Sequence, residues 1–243
     1  MTSLFDYLLG LGDDALVAAQ RTAEWCARAP QLEEEVALAN VALDQLGQAR
    51  AFLGYAGELE GAGRDEDALA FLRDEAGFRN AQLVELPNGD FGTTVAKTLF
   101  LAAYQKLLFS RLARTAEPRL AGIAAKAAKE SAFHVSYASA WTIRLGDGTP
   151  LSHRRMRDAV EEVWPYTHEL FEPWTAPEAG LDPATLREPW LRVVEKVLGE
   201  ATLSRPQDGW AATGGRHGRH TEWLGPLLAE MQSVHRAHAG ARW

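Results

Sequence analysis

Polar residues set into apolar helical stripes are where this 243-residue chain could do chemistry. One stripe runs Leu38, Val41, Gln45, Gln48, Phe52, Tyr55 and Leu59, so that two amides interrupt an apolar face. A second runs Ile123, Ala127, Glu130, His134, Ala138, Trp141 and Leu145, and a third sets Lys97 among Thr94, Leu101, Tyr104 and Leu108. Buried polar groups are costly unless they are paired. Polar residues at mid-length on several helices therefore point to one shared polar centre. In a helical bundle such a centre can hold two iron ions if two helices each give a Glu and two others each give Glu-x-x-His. The three-residue step puts carboxylate and imidazole on one face. The sequence lacks that set. None of the seven histidines has Asp or Glu three residues before it. Gln45-Leu-Gly-Gln48 keeps the spacing with neutral amides, and Ser131-Ala-Phe-His134 keeps the imidazole without the carboxylate.

Each of these residues also has a plainer explanation. Gln45 and Gln48 could sit half-exposed on a helix flank. Glu130 and His134, four apart, could form a helical pair. Lys97 could reach out to solvent along its own stem. Two His-x-x-His spacings, His217/His220 and His235/His238, could bind a metal, but Arg216 and Arg219 beside the first would repel a cation. That glycine-rich basic loop, with Arg216, His217, Arg219 and His220, better fits contact with an anionic group such as a phosphate. An interface or capping role is the simpler alternative.

The elements that must position these residues are helices throughout. Helical spacing predicts a first helix over Leu4–Arg28 and a second over about Gln31–Glu60, ended by Gly61 and Gly63. The second helix also carries the stripe Leu32, Val36, Ala39, Leu43, Leu46, Leu53. A shorter helix is expected over Asp65–Ala81, then a turn at Pro87-Asn-Gly89. Long helices follow over Phe91–Thr115 and from Glu117-Pro118 to Leu145. Further on, helices are expected over Ser152–Phe171, bent or broken at Pro165, over Ala184–Ala201, and over Glu222–His238. Four long helices of matched length make a bundle. The expected architecture is all-α: one domain over 1–243, with a core bundle at about 4–145 and a C-terminal helical extension at about 150–243.

Composition narrows the function. Net charge is −8, which argues against a nucleic-acid binder. No apolar run approaches a membrane span, and no basic region precedes the early apolar residues, so a signal peptide is not expected. The single cysteine, Cys26, excludes an intrachain disulfide, suits a reducing cytoplasm, and reads as a small buried apolar residue.

Several stretches resemble one family along nearly the whole chain. They are Leu11-Gly-Asp-Asp14, Gln20-Arg-Thr-Ala-Glu-Trp25, Ala37-Leu-Ala-Asn40, Leu43-Asp-Gln-Leu-Gly-Gln-Ala-Arg50, Pro87-Asn-Gly89, Lys129-Glu130, His134, Thr213-Gly-Gly, His220-Thr-Glu222 and Leu224-Gly-Pro-Leu-Leu-Ala-Glu-Met-Gln232. The family is the C subunit of phenylacetyl-CoA epoxidase, also called ring 1,2-phenylacetyl-CoA monooxygenase. The resemblance implies a ferritin-like four-helix bundle without a working metal site. It implies a stable complex with a catalytic A subunit, which holds the di-iron centre and epoxidises the aromatic ring, while a separate reductase supplies electrons from NADPH. The setting implied is aerobic phenylacetate breakdown in the bacterial cytoplasm. On this reading Gln45, Gln48, Ser131 and His134 stand at former ligand positions, with Lys97 and Asp14 at the single-carboxylate positions. Lys97 is expected to pair with Glu130, Asp44 or Asp14. No cofactor is expected in this chain, no catalytic residue is assigned to it, and self-association is a further expectation for the isolated chain. The alternatives are an active di-iron oxygenase with a degenerate ligand set, and a helical scaffold unrelated to oxygenases.

Overall fold

The computed structural model describes residues 2–238 and 241, and among them there is no β-strand. The architecture is an all-α, ferritin-like bundle. Its four long helices are α1 (Leu4–Ala23), α2 (Leu32–Glu60), α4 (Phe91–Leu112) and α5 (Pro118–Gly146), with a short α3 (Glu66–Phe71) between the second and third of them. α1 packs chiefly on α2, and α4 on α5. Capping fixes the starts: Ser3 accepts from the Asp6 N–H, Asp90 from Thr93, and Glu117 from Leu120. Gly61, in the left-handed conformation, closes α2. α1 is buried on nearly all sides from Tyr7 to Ala19. Gly12 permits this, since a Cβ there would lie 2.7 Å from the Leu53 side chain.

α6 (Pro150–Val163) and α7 (Arg187–Glu200) pack back on α4 and α5. Trp190 anchors them: it lies 5.7 Å from the Phe100 ring and 5.3 Å from that of Phe171, and its indole N–H donates to the Phe100 carbonyl at 3.0 Å. α8 (Leu224–Met231) and α9 (Ser233–Ala237) end the described chain.

Several boundaries differ from expectation for local reasons. The first helix stops at Ala23 and gives way to turns in which Ala27 has φ 64°. The stretch expected as one helix over Asp65–Ala81 is helical only to Phe71, because Arg73 and the Arg79 N–H both turn inward to Asp13. Pro165 lacks an N–H and converts the end of the Ser152–Phe171 helix into a 3₁₀ run over Trp164–Phe171. The last helix breaks at Gln232, whose buried amide donates to the carbonyls of Ala70 and Arg73. On α2, the stripe from Leu32 to Leu46 faces outward, while Leu38, Val41, Gln45, Gln48 and Phe52 face the core. Cys26 is exposed, not buried, because it lies in the turns beyond α1.

Candidate functional site

The bundle centre brings together Gln45 and Gln48 from α2, Lys97 from α4, and Ser131 and His134 from α5, all of them buried. The half-exposed alternatives for the two glutamines and the solvent-reaching alternative for Lys97 therefore do not hold. Gln45, Lys97 and His134, together with Thr22, Asn88 and Leu101, line a cavity of ≈ 40 Å³.

Most of the polar groups there have a definite partner. Gln45 and Gln105 exchange amide hydrogen bonds of 2.8 and 3.2 Å across α2 and α4. Gln48 donates to Glu130 at 2.9 Å, and Glu130 is held in turn by Lys126, also at 2.9 Å. Glu130 thus pairs across the helix interface and not with His134 four residues on. His134 instead meets Asp44 through Nε2 at 3.0 Å. Burial, against the pull of Asp44, holds the imidazole below its ordinary pKa. Among the described residues, Nδ1 of His134, Oε1 of Gln48 and Oγ of Ser131 are buried without a hydrogen-bond partner.

Lys97 corrects the expectation of an acidic partner. Its ammonium donates to the carbonyls of Leu86 and Pro87 at 2.6 and 2.9 Å and to Oδ1 of Asn88 at 3.1 Å. Burial, with the Arg21 guanidinium nearby, pushes its pKa down to about 7. The acceptors come from the turn before α4. Asn88 also donates to the Arg21 carbonyl and to Glu24, so Lys97 secures a loop that clamps the end of α1.

Asp14 lies elsewhere. It accepts from Arg216 at 2.6 Å and from the Ala81 N–H at 2.8 Å, and both members of the pair are buried. Its neighbour Asp13 takes a two-pronged contact from Arg73. Glu85 accepts from His220, Thr221 and Asn80, and Glu169 accepts from the N–H groups of Gln82 and Gly215. Gly215 is required where it sits, since a Cβ would fall 2.5 Å from the Asn80 carbonyl and 2.8 Å from Glu169. The basic glycine loop is thus folded onto carboxylates of its own chain. Arg216 and His220 are committed to Asp14 and Glu85 in place of the expected anionic ligand, whereas His217 and Arg219 remain on the surface. His217 rests against the Trp174 ring, and the His-x-x-His spacing holds no shared site there.

Sequence reasoning missed Asp13, Arg73, Glu85, Glu169 and Gln105. The adjacent acids Asp13 and Asp14 inside the apolar run of α1 were the available signal, because two buried carboxylates demand cations.

This centre does not fit a pair of iron ions. At the positions expected to stand for ligands, Gln45 and Gln48 present amides bonded to Gln105 and Glu130, Ser131 presents a hydroxyl and Lys97 an ammonium. Among the described residues no group of three or more His, Cys, Asp or Glu side chains is placed to hold a metal ion. The arrangement is instead a set of hydrogen-bonded links between helices.

Comparison with known proteins agrees with the fold and the motifs. The chain is 48% identical over 249 residues to the C subunit of 1,2-phenylacetyl-CoA epoxidase from Escherichia coli (strain K12), with all of both chains covered. The model of the family described as "Phenylacetic acid catabolic protein" matches residues 1–243. With its whole length matched, the chain belongs to the phenylacetic acid catabolic protein family.

Proposed function

We propose that this chain is a non-catalytic structural subunit of a phenylacetyl-CoA 1,2-epoxidase, acting in aerobic phenylacetate catabolism in the bacterial cytoplasm. Its partner is the catalytic A subunit, which carries the di-iron centre. The observation that supports this most is the reciprocal amide pair Gln45–Gln105 beside a buried Lys97, where a metal-bearing bundle needs carboxylates. A cation there would have to displace paired amides and approach an ammonium. On this reading the bundle contributes its shape and its docking surface to the enzyme, not metal chemistry. Among the described residues no helix is long and apolar enough to cross a membrane.

The test is turnover by the complete enzyme when this centre is altered. Gln48→Ala should leave turnover within about twofold, with a stability cost of about 1 kcal/mol from one lost buried hydrogen bond. Complete loss of turnover in a fully assembled complex contradicts the reading and favours the degenerate-ligand alternative.

A further inference from the structure

The outward face of α2 bears Leu32, Val36, Ala39, Leu43 and Leu46, spaced four, three, four and three residues apart. Leu32 is 73% exposed, Val36 55%, Leu43 64% and Leu46 47%. That alternation is the heptad seam by which one helix packs along another. A solvated helix face has no reason to keep it, and a contiguous exposed apolar patch marks an interaction site. The other exposed large apolar residues, such as Phe133, Leu151 and Trp210, sit singly on separate elements.

Beside the seam lies a groove. Leu16 and Ala19 of α1 and Ala42 of α2 form its floor, with Ala23 and the exposed Cys26 at its edge. Its volume is ≈ 460 Å³, and a further cavity of ≈ 350 Å³ shares Leu16, Leu46 and Phe71 with it, so the groove continues past α3. Leu16, Ala19 and Ala23 of α1 repeat the spacing of three and four, and Cys26 follows in the turn beyond the helix. Two antiparallel helices thus present matching stripes to a third. The seam from Leu32 to Leu46 is about 21 Å long, or about four helical turns.

Charge decides the occupant. From Leu32 to Ala49 there is no Lys, Arg or His, and there are four acids. Glu34 and Asp44 are spent on α5, through Tyr137, Trp141 and His134. Glu33 and Glu35 remain to flank the seam. A second copy seated on the same seam would bring only its own Glu33 and Glu35 to a face with no cation between Leu32 and Ala49, and Arg50 just beyond is already paired with Glu66. We propose that this groove receives an α-helix of the catalytic subunit, about four turns long, with an apolar heptad stripe flanked by Lys or Arg. The proposal rests on the partnership stated above and adds the face and the chemistry of the contact.

Cys26, the only cysteine, is a built-in reporter. The experiment uses the full chain, alone and co-expressed with the catalytic subunit, and measures alkylation of Cys26 by N-ethylmaleimide and the affinity of the complex. Alkylation should be fast for the isolated chain and at least tenfold slower in the complex. Leu43→Glu and Val36→Glu should weaken the complex on the order of 30-fold or more, as loss of an interface hot spot does. Leu151→Glu, on another face, should leave it unchanged, and all three variants should melt like the parent. If a complex forms with Cys26 still freely alkylated and Leu43→Glu still assembling, the seam is overturned and the partnership stands. If the parent chain forms no complex at all, both fall. If Leu43→Glu abolishes only self-association, the occupant is a second copy and the proposal is wrong.

Discussion

Replacing Lys97 by Met keeps most of the side-chain volume while removing the charge and all three donors. Two opposing effects set the outcome. The carbonyl of Leu86, where Lys97 bonds in a buried setting, loses its partner, while the acceptors on Pro87 and Asn88 are only partly buried and can turn to water. One orphaned buried acceptor costs about 1–3 kcal/mol. Against this, the variant no longer buries an ammonium. The sign of the pH effect follows from the depressed pKa. Lys97 titrates at about 7 in the folded chain and near 10.4 when unfolded. Between those values the unfolded chain binds the extra proton, so this group's contribution makes the parent more stable as pH rises from about 7 towards 10. Lys97→Met lacks that gain. Urea denaturation should therefore find the stability difference between parent and variant shifting in the parent's favour by roughly 2 kcal/mol between pH 7 and pH 9. The difference in Tm should shift with it by about 2–4 °C per kcal/mol for a chain of this size. A difference independent of pH would refute the burial of the Lys97 ammonium in its carbonyl cage.

Three further outcomes follow from the partners described. Arg216→Ala strands Asp14 as an unpaired buried carboxylate and should cost about 3–5 kcal/mol in urea denaturation; a loss under 1 kcal/mol would show that Asp14 is solvated or protonated. Burial works against the charged His220 ring, but the contact with Glu85 outweighs it and raises the pKa, so the stabilisation is complete below about pH 6.5 and is lost as pH rises through the folded value. His220→Gln should lack that slope, so the parent's advantage over the variant should shrink as pH rises through the folded value, and a variant that keeps the parent's slope would assign it elsewhere. Gln45→Ala and Gln105→Ala should each destabilise by about 1 kcal/mol, and the double variant by less than their sum; strict additivity in a double-mutant cycle would mean that the two amides do not act as a pair.

The sequence made the four long helices legible because apolar periodicity is a local property, and α2, α4 and α5 run close to their expected limits. It showed the inward polar residues of α4 and α5 for the same reason. It did not show what Lys97 bonds to, since two of the three acceptors are backbone carbonyls, which every residue carries. Nor did it show that Asp14 faces Arg216 more than 200 residues later, because that pairing depends on how the C-terminal loop folds back over α1. The break in the Asp65–Ala81 stretch had the same cause: Arg73 leaves the helix to neutralise Asp13, and a tertiary ion pair overrides local propensity. On α2 two apolar stripes compete, and periodicity alone cannot say which one meets the core and which one awaits a partner.

The most direct test of the non-catalytic reading is the iron content of this chain, purified alone and then in complex with the catalytic subunit. With amides, a serine and a buried lysine at the centre, the chain alone should hold no stoichiometric iron, and the iron of the complex should match the amount of catalytic subunit. Two irons per copy of this chain, with the absorption of an oxo-bridged pair, would contradict it.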